Sequence, residues 1–267
     1  MFKITKHITF FYDCDRFQYI NRIIQEVNKY KHKTDIFIHT NRSFNINLLN
    51  KNNNGSINIV KHSLLKINPF YLSWKCRDLM KQQKDEYDIF IYVEDDILIL
   101  NEALEYWIEH NSKLIEMNYN LGFIRIEVKD GEEYMTDILR KIDNTLIDVD
   151  GHAYVVNNVC SYYAMWIYNK GEFNKFTRSK YYNGILNNAN ELIDVKKYPK
   201  KKVVGRSIRE KSARGFQYCY KNTIIPVKNN KLVKECRIYH LPNNYVNCNR
   251  GPFAVIKFND AINTHPQ

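Results

Sequence analysis

The stretch DEYDIFIYVEDDILI, residues 85–99, decides how the rest of the chain is read. Ile89 to Val93 form an apolar run of β-branched and aromatic residues, entered from Asp88. Three consecutive carboxylates, Glu94, Asp95 and Asp96, end it before apolar residues resume at Ile97. A short apolar run bounded by charge predicts a strand buried on both faces, as in the sheet of an α/β protein. Carboxylates crowded at such a strand end repel one another and lose hydration, which a hard divalent cation with oxygen ligands relieves. The plainer reading is a solvated acidic turn that needs no ligand.

Upstream, Ile8 to Tyr12 form a first apolar run that ends in Asp13, Cys14, Asp15 and Arg16. Phe17, Ile20, Ile23, Ile24 and Val27 recur at helical spacing and predict an amphipathic helix over 16–30. TDIFIH, residues 34–39, predicts a second strand, and Ile57 to Val60 a short third one. Pro69 opens a helix that carries Trp74 and Arg77 and ends near Gln83, since proline is tolerated in a first helical turn. This alternation predicts a mostly parallel sheet of nucleotide-binding type, in which ligands sit outside the carboxyl ends of the strands. Asp13, Thr40 and the acids 94–96 all fall at such ends and are expected to converge on one crevice.

Downstream, Asn101 is expected to cap a helix running to about Asn118, followed by a strand from Gly122 to Val128. Asp130-Gly131, Asp150-Gly151 and Asn229-Asn230 mark hairpins. Helices are predicted from about Lys170 to Arg178 and over SIREKSARGFQY, the latter stopped or kinked at Gly215. Residues 183–202 read as helix and then basic loop. RIYHLPNNYVN, residues 237–247, is strand-like until Pro242 breaks it. With no linker and no internal repeat, a single domain is expected over 1–267.

The composition, 44% hydrophobic and 26% charged over 267 residues, suits a globular domain with a large core and argues against disorder. The net charge of +11 suits nucleic acid, an anionic membrane surface or a phosphorylated small molecule. The basic residues are scattered, apart from Lys196, Lys197, Lys200, Lys201 and Lys202, and no nucleic-acid-binding signature accompanies them. Nucleic acid is therefore not an expected partner. The cysteines include no C-x-x-C pair, which excludes the usual zinc-ribbon spacing; they read as free thiols in a reducing compartment, with up to three disulfides as the alternative. No stretch approaches the ~20 apolar residues of a membrane span, so a cytoplasmic protein without such a span is expected.

Several motifs carry a resemblance. Trp74-Lys75-Cys76-Arg77 precedes the acids, Glu94-Asp95-Asp96 ends the strand, and Arg209-Glu210-Lys211 and Gly215 follow. His240-Leu241-Pro242-Asn243-Asn244-Tyr245 closes the series. Together they resemble GT-A-fold glycosyltransferases, and more narrowly glycosyltransferase-like proteins of eukaryotes, bacteria and large DNA viruses, from about Ile8 to Tyr245. The resemblance implies an α/β, Rossmann-type fold with a nucleotide-sugar-binding half, 1–120, and an acceptor-binding half, 121–260. It implies transfer of a sugar from a donor such as a UDP-sugar to a hydroxyl of a glycan or protein, with Mn²⁺ or Mg²⁺ on the diphosphate.

By that resemblance Glu94 and Asp96 take the outer positions of a DxD-type motif, with His240 as a third metal ligand. The glutamate in first position departs from the commonest form and leaves open which of the acids, Asp95 included, touches the ion. Tyr12, Asp13, Thr40 and Asn41 are nominated for the nucleoside, and Arg77 for the diphosphate, where a guanidinium is well suited. Glu210 is the candidate base, with Asp194 in reserve. Each has a structural alternative. His240 reads equally as a satisfied core histidine, Arg77 as half of an ion pair with Asp78 or Asp85, and Glu210 as a partner of Arg206 or Arg214. Tyr162, Tyr163 and Trp166 are either an acceptor platform or plain core. The rival functions are a nucleotidyltransferase, for which FYDCDRF lacks a glycine-rich phosphate loop, and a non-enzymatic glycan- or nucleic-acid-binding protein.

Overall fold

The computed structural model describes residues 1–64, 68–138, 140–160, 162–182, 203–248 and 254–263. The chain forms two compact units, each discontinuous in sequence: Met1–Asp95 with Ala164–Phe216, and Asp96–Tyr163 with Gln217–Gln267. The units thus interleave along the chain rather than dividing it into an N-terminal and a C-terminal half.

The first unit begins with β1 (Lys3–Phe10), α1 (Phe17–Val27), β2 (Lys33–Thr40), β3 (Ile57–Lys61), α2 (Cys76–Gln82) and β4 (Ile89–Glu94). The chain then runs through the second unit as β5 (Ile97–Leu98), α3 (Asn101–Glu116), β6 (Tyr119–Leu121), β7 (Ile124–Lys129), β8 (Glu132–Met135), β9 (Leu146–Val149) and β10 (His152–Val156). It returns to the first for β11 (Met165–Asn169), α4 (Lys170–Arg178) and α5 (Val203–Arg214). It ends in the second with β12 (Asn222–Lys228), β13 (Lys231–Leu232), β14 (Arg237–His240) and β15 (Ile256–Lys257). The protein is of the α/β class.

In the first unit the strands lie in the order β11-β4-β1-β2-β3. β1 to β4 run parallel and β11 is antiparallel to β4. Every residue of β4 is buried, as its unbroken apolar run requires in a sheet covered on both faces. α1 buries Ile20, Ile23, Ile24 and Val27, and Phe173 of α4 stacks on Phe90 at 4.0 Å. The predicted helix at Pro69 divides into a 3-10 segment, Pro69–Trp74, and α2. α5 ends where Gly215 takes a φ of +55°, the left-handed C-terminal geometry that glycine adopts without strain. A Cβ on Gly215 would also sit 2.5 Å from the Tyr168 hydroxyl.

A polar row crosses this sheet. His7 Nδ1 meets His39 Nε2 at 2.8 Å, His39 Nδ1 meets His62 Nε2 at 2.8 Å, and His7 Nε2 lies 3.1 Å from the Gln83 carbonyl oxygen. With that oxygen accepting from His7 Nε2–H, each ring accepts at Nδ1 the Nε2–H of the next, so one neutral tautomer satisfies the whole row. Burial pushes His7 down to about 3. Burial and then the neighbouring rings put His39 well below the ordinary histidine value. Burial and Lys75 lower His62, against the opposing charge of Asp78.

The second unit has two sheets, β13-β12-β10-β9 with β6 beside β12, and β15-β8-β7-β14-β5. The three predicted hairpins are two-residue turns with both central residues at positive φ: Asp130-Gly131, Asp150-Gly151 and Asn229-Asn230. α3 starts one residue earlier than a cap at Asn101 implies. Leu100 is the capping position, without a side-chain hydrogen bond, and Asn101 is the first helical residue. The six cysteines are free thiols. Among the described residues no helix is long and apolar enough to cross a membrane.

Candidate active site

Within the first unit a cleft of about 600 Å³ opens at the carboxyl ends of β1 and β4. The strand order explains its position. β2 and β3 are added on one side of β1, and β4 and then β11 on the other, so the strand order reverses between β1 and β4. This is the topological switch point at which open α/β sheets bind ligands. Thr9 pairs with Glu94 in the register, which brings both strand ends to one level. The lining is Thr9, Phe11, Tyr12, Asp13, Arg16, Pro69, Phe70, Leu72, Ser73, Glu94, Asp95 and Arg209.

The loop after β1 builds one wall. Asp13 caps a 3-10 turn, Cys14–Arg16, by accepting from the Asp15 amide at 3.0 Å. That turn delivers Arg16 to Asp95, whose two oxygens accept from Nε at 2.6 Å and Nη2 at 2.7 Å. Asn41, at the end of β2, accepts from the Tyr12 amide at 2.8 Å and ties the two loops together. Arg42 lies 4.9 Å from the centre of the Tyr12 ring, and Phe17 and Phe44 pack edge-on against each other and Phe10. Thr40 is buried and turns its hydroxyl to the Arg42 carbonyl at 3.2 Å. Of the four nucleoside candidates, Tyr12 and Asp13 therefore line the cleft, Asn41 holds Tyr12, and Thr40 serves its own turn.

α5 builds the opposite wall and is fastened by buried donors. The indole of Trp74 donates to the Ile208 carbonyl at 2.9 Å and that of Trp166 to the Ser212 carbonyl at 3.2 Å, while the Ser212 hydroxyl donates to the Ser73 carbonyl at 2.7 Å. So held, α5 sets Arg209 3.5 Å from Glu94. Glu210, one residue further on, is half-buried and is not part of the lining. Asp194, the reserve base, lies outside the described residues, as does the predicted basic loop.

Arg77 is the clearest correction. It does not line the cleft, nor does it pair with Asp78 or Asp85. Its guanidinium is buried, donates to the carbonyls of Tyr181, Tyr182 and Ser212, and lies 3.9 Å from the centre of the Trp74 ring. Burial lowers its pKa from the usual arginine value. Trp166 is likewise core, stacked between Tyr92 and Tyr168. Tyr163, in the other unit, is buried edge-on against Phe123. An exposed aromatic platform is not formed by these residues.

The expected metal ligands are divided: Glu94 belongs to the first unit, Asp96 and His240 to the second. Within the second unit β5, β14 and β7 are neighbours, and they place Asp96, His240 and Glu127 in a row. His240 Nδ1 lies 2.5 Å from Glu127 Oε1, and Nε2 lies 3.6 Å from Asp96 Oδ2. Glu127 is fully buried and also accepts from the amides of Tyr245 and Val246 at 2.9 and 2.7 Å. The carboxylate is an acceptor to all three, so Nδ1 carries the proton and Nε2 is turned to Asp96. Burial works against the charged ring, but the hydrogen bonds to Asp96 and Glu127 and the Asp96 charge outweigh it and raise the His240 pKa.

A histidine oriented by a buried carboxylate, with its other nitrogen beside a second carboxylate, is the donor set that a divalent ion uses. Among the described residues no group of three or more His, Cys, Asp or Glu side chains is arranged to hold a metal ion. Glu94 with Asp95 in the first unit, and Asp96 with His240 in the second, are therefore at most partial donor sets. Arg16, Arg209 and Glu127 were not singled out from the sequence as site residues. Glu127 carries a signal, a carboxylate inside the apolar strand IRIEVK, and Arg209 stands in the Arg209-Glu210-Lys211 motif of the resemblance, while Arg16 has none beyond its place after DCD. No protein-family model matches the chain, and a comparison with curated proteins finds no match.

Proposed function

We propose that the protein is a GT-A-like, metal-dependent glycosyltransferase that moves a sugar from a nucleotide-sugar donor to an acceptor hydroxyl. The observation that carries this reading is the cleft at the switch point of the parallel sheet, floored by Glu94 and Asp95 and flanked by Arg16 and Arg209. A nucleoside diphosphate suits such a place. The aromatic side chain of Tyr12 offers a face to a base, and the two guanidinium groups match phosphate oxygens in charge and geometry. The carboxylates of the cleft, Glu94 and Asp95, would supply oxygen ligands for Mn²⁺ or Mg²⁺. A bound cation would act as a Lewis acid that stabilises the departing nucleoside diphosphate. Asp13 and Asn41 keep the Tyr12 loop in place, and Phe11 and Phe70 leave apolar surface at the mouth for an acceptor.

Thermal denaturation in a panel of nucleoside diphosphates and their sugars, with and without Mn²⁺, tests the proposal. Stabilisation that requires both nucleotide and metal is the expected result, and indifference to every nucleotide would sink it. Asp95→Asn, titrated with Mn²⁺, is expected to weaken the ion's binding in the cleft. Asp96→Ala is expected to abolish metal-dependent donor hydrolysis or transfer, and full activity in that variant would contradict the assignment.

A further inference from the structure

We propose that Arg16 is an exchangeable counter-ion: it neutralises Asp95 until a divalent cation takes the carboxylate, and then passes to the donor's diphosphate. This rests on the transferase reading of the cleft. The motivating geometry is a bidentate pair, 2.6 and 2.7 Å, between a carboxylate that is 8% exposed and an arginine side chain that is 30% exposed. Arg77 is enclosed by backbone carbonyls and a tryptophan, but Arg16 sits on a one-turn 3-10 segment after a loop, open to the cleft on one side. It can therefore leave Asp95 by side-chain rotation without dismantling a helix.

Charge makes the exchange obligatory. A cation arriving alone at Asp95 must displace a bidentate guanidinium and leave it beside a like charge at close range, which is unfavourable unless an anion arrives with the ion. A cation arriving with a diphosphate brings the negative charge that the released guanidinium needs. Arg209, only 3.5 Å from Glu94 and 44% exposed, is placed to follow the same course. The consequence is coupling: cation and nucleoside diphosphate bind tightly together and weakly apart, and the coupling passes through Arg16.

The test measures Mn²⁺ binding by the electron paramagnetic resonance of the free ion, alone and with UDP or GDP, in wild type, Arg16→Ala and Arg16→Lys. In Arg16→Ala, Mn²⁺ alone should bind about tenfold tighter, while the nucleoside diphosphate with Mn²⁺ should bind about tenfold more weakly. Arg16→Lys, which keeps the charge but not the bidentate fork, should fall between. The proposal is overturned if wild type binds Mn²⁺ with nucleotide while Arg16→Ala, and Arg16→Lys as the milder substitution, show no gain for Mn²⁺ alone. If wild type binds no nucleoside diphosphate with any metal, the transferase reading fails. In that case a Mn²⁺ gain in Arg16→Ala would still identify Arg16 as the competitor for Asp95.

Discussion

Arg16 and Arg77 carry the same side chain and opposite assignments. Arg77 donates to three backbone carbonyls, and truncation leaves the buried ones of Tyr182 and Ser212 without this donor. Arg77→Ala is expected to lower stability by about 3–5 kcal/mol in urea unfolding. Arg16→Ala should stay within about 1 kcal/mol of wild type, because its pair with Asp95 is open to solvent on one side. Glu127 is a third such case. Three donors converge on a carboxylate with no exposure, and an amide presents its NH₂ to at least one of them. Glu127→Gln should cost about 2–3 kcal/mol and free the His240 ring, a change visible in its NMR titration. Of these residues, the sequence singled out only Arg77, and for the wrong task. The identity of a guanidinium's partner depends on residues 104 to 135 positions away, which no local pattern encodes.

At the scale of elements, α5 is set by its stop as much as by its contacts. Gly215 turns the chain at positive φ against the Tyr168 hydroxyl, which accepts from the Phe216 amide at 2.6 Å. Gly215→Ala combines a left-handed backbone penalty with a clash, and about 2–4 kcal/mol of destabilisation is expected in urea unfolding. Arg209 would lose its position with the helix end. The histidine row ties β1, β2 and the end of β3 to α2 through neutral rings. Each ring has a lowered pKa in the folded state, so the unfolded chain takes up the proton first as pH falls. Stability is then complete above the ordinary histidine value near 6.5 and declines below it, for His7 until about pH 3. The slope should reach about 1.4 kcal/mol per pH unit for each ring that protonates only on unfolding. Urea midpoints between about pH 7 and pH 4.5 measure it, and a flat profile would show that the rings are protonated in place.

For the whole molecule, the prediction that matters is nucleotide- and metal-dependent stabilisation, because it addresses the cleft rather than any one side chain. The strands and helices around that cleft are legible in the chain itself. The apolar run 89–93, the helical spacing of Ile20, Ile23, Ile24 and Val27, and the paired turn residues each act through neighbours within a few positions. Burial of an apolar face and tolerance of positive φ are local requirements, and the amino-acid pattern meets them without reference to the rest of the fold. The sequence by itself thus determined an α/β protein with carboxylates at the end of a buried strand. Only the tertiary structure decided which cations answer them, since Arg16 reaches Asp95 across 79 residues and α5 brings Arg209 to Glu94. Those pairings depend on strand order and register, and charge acts through space rather than along the chain.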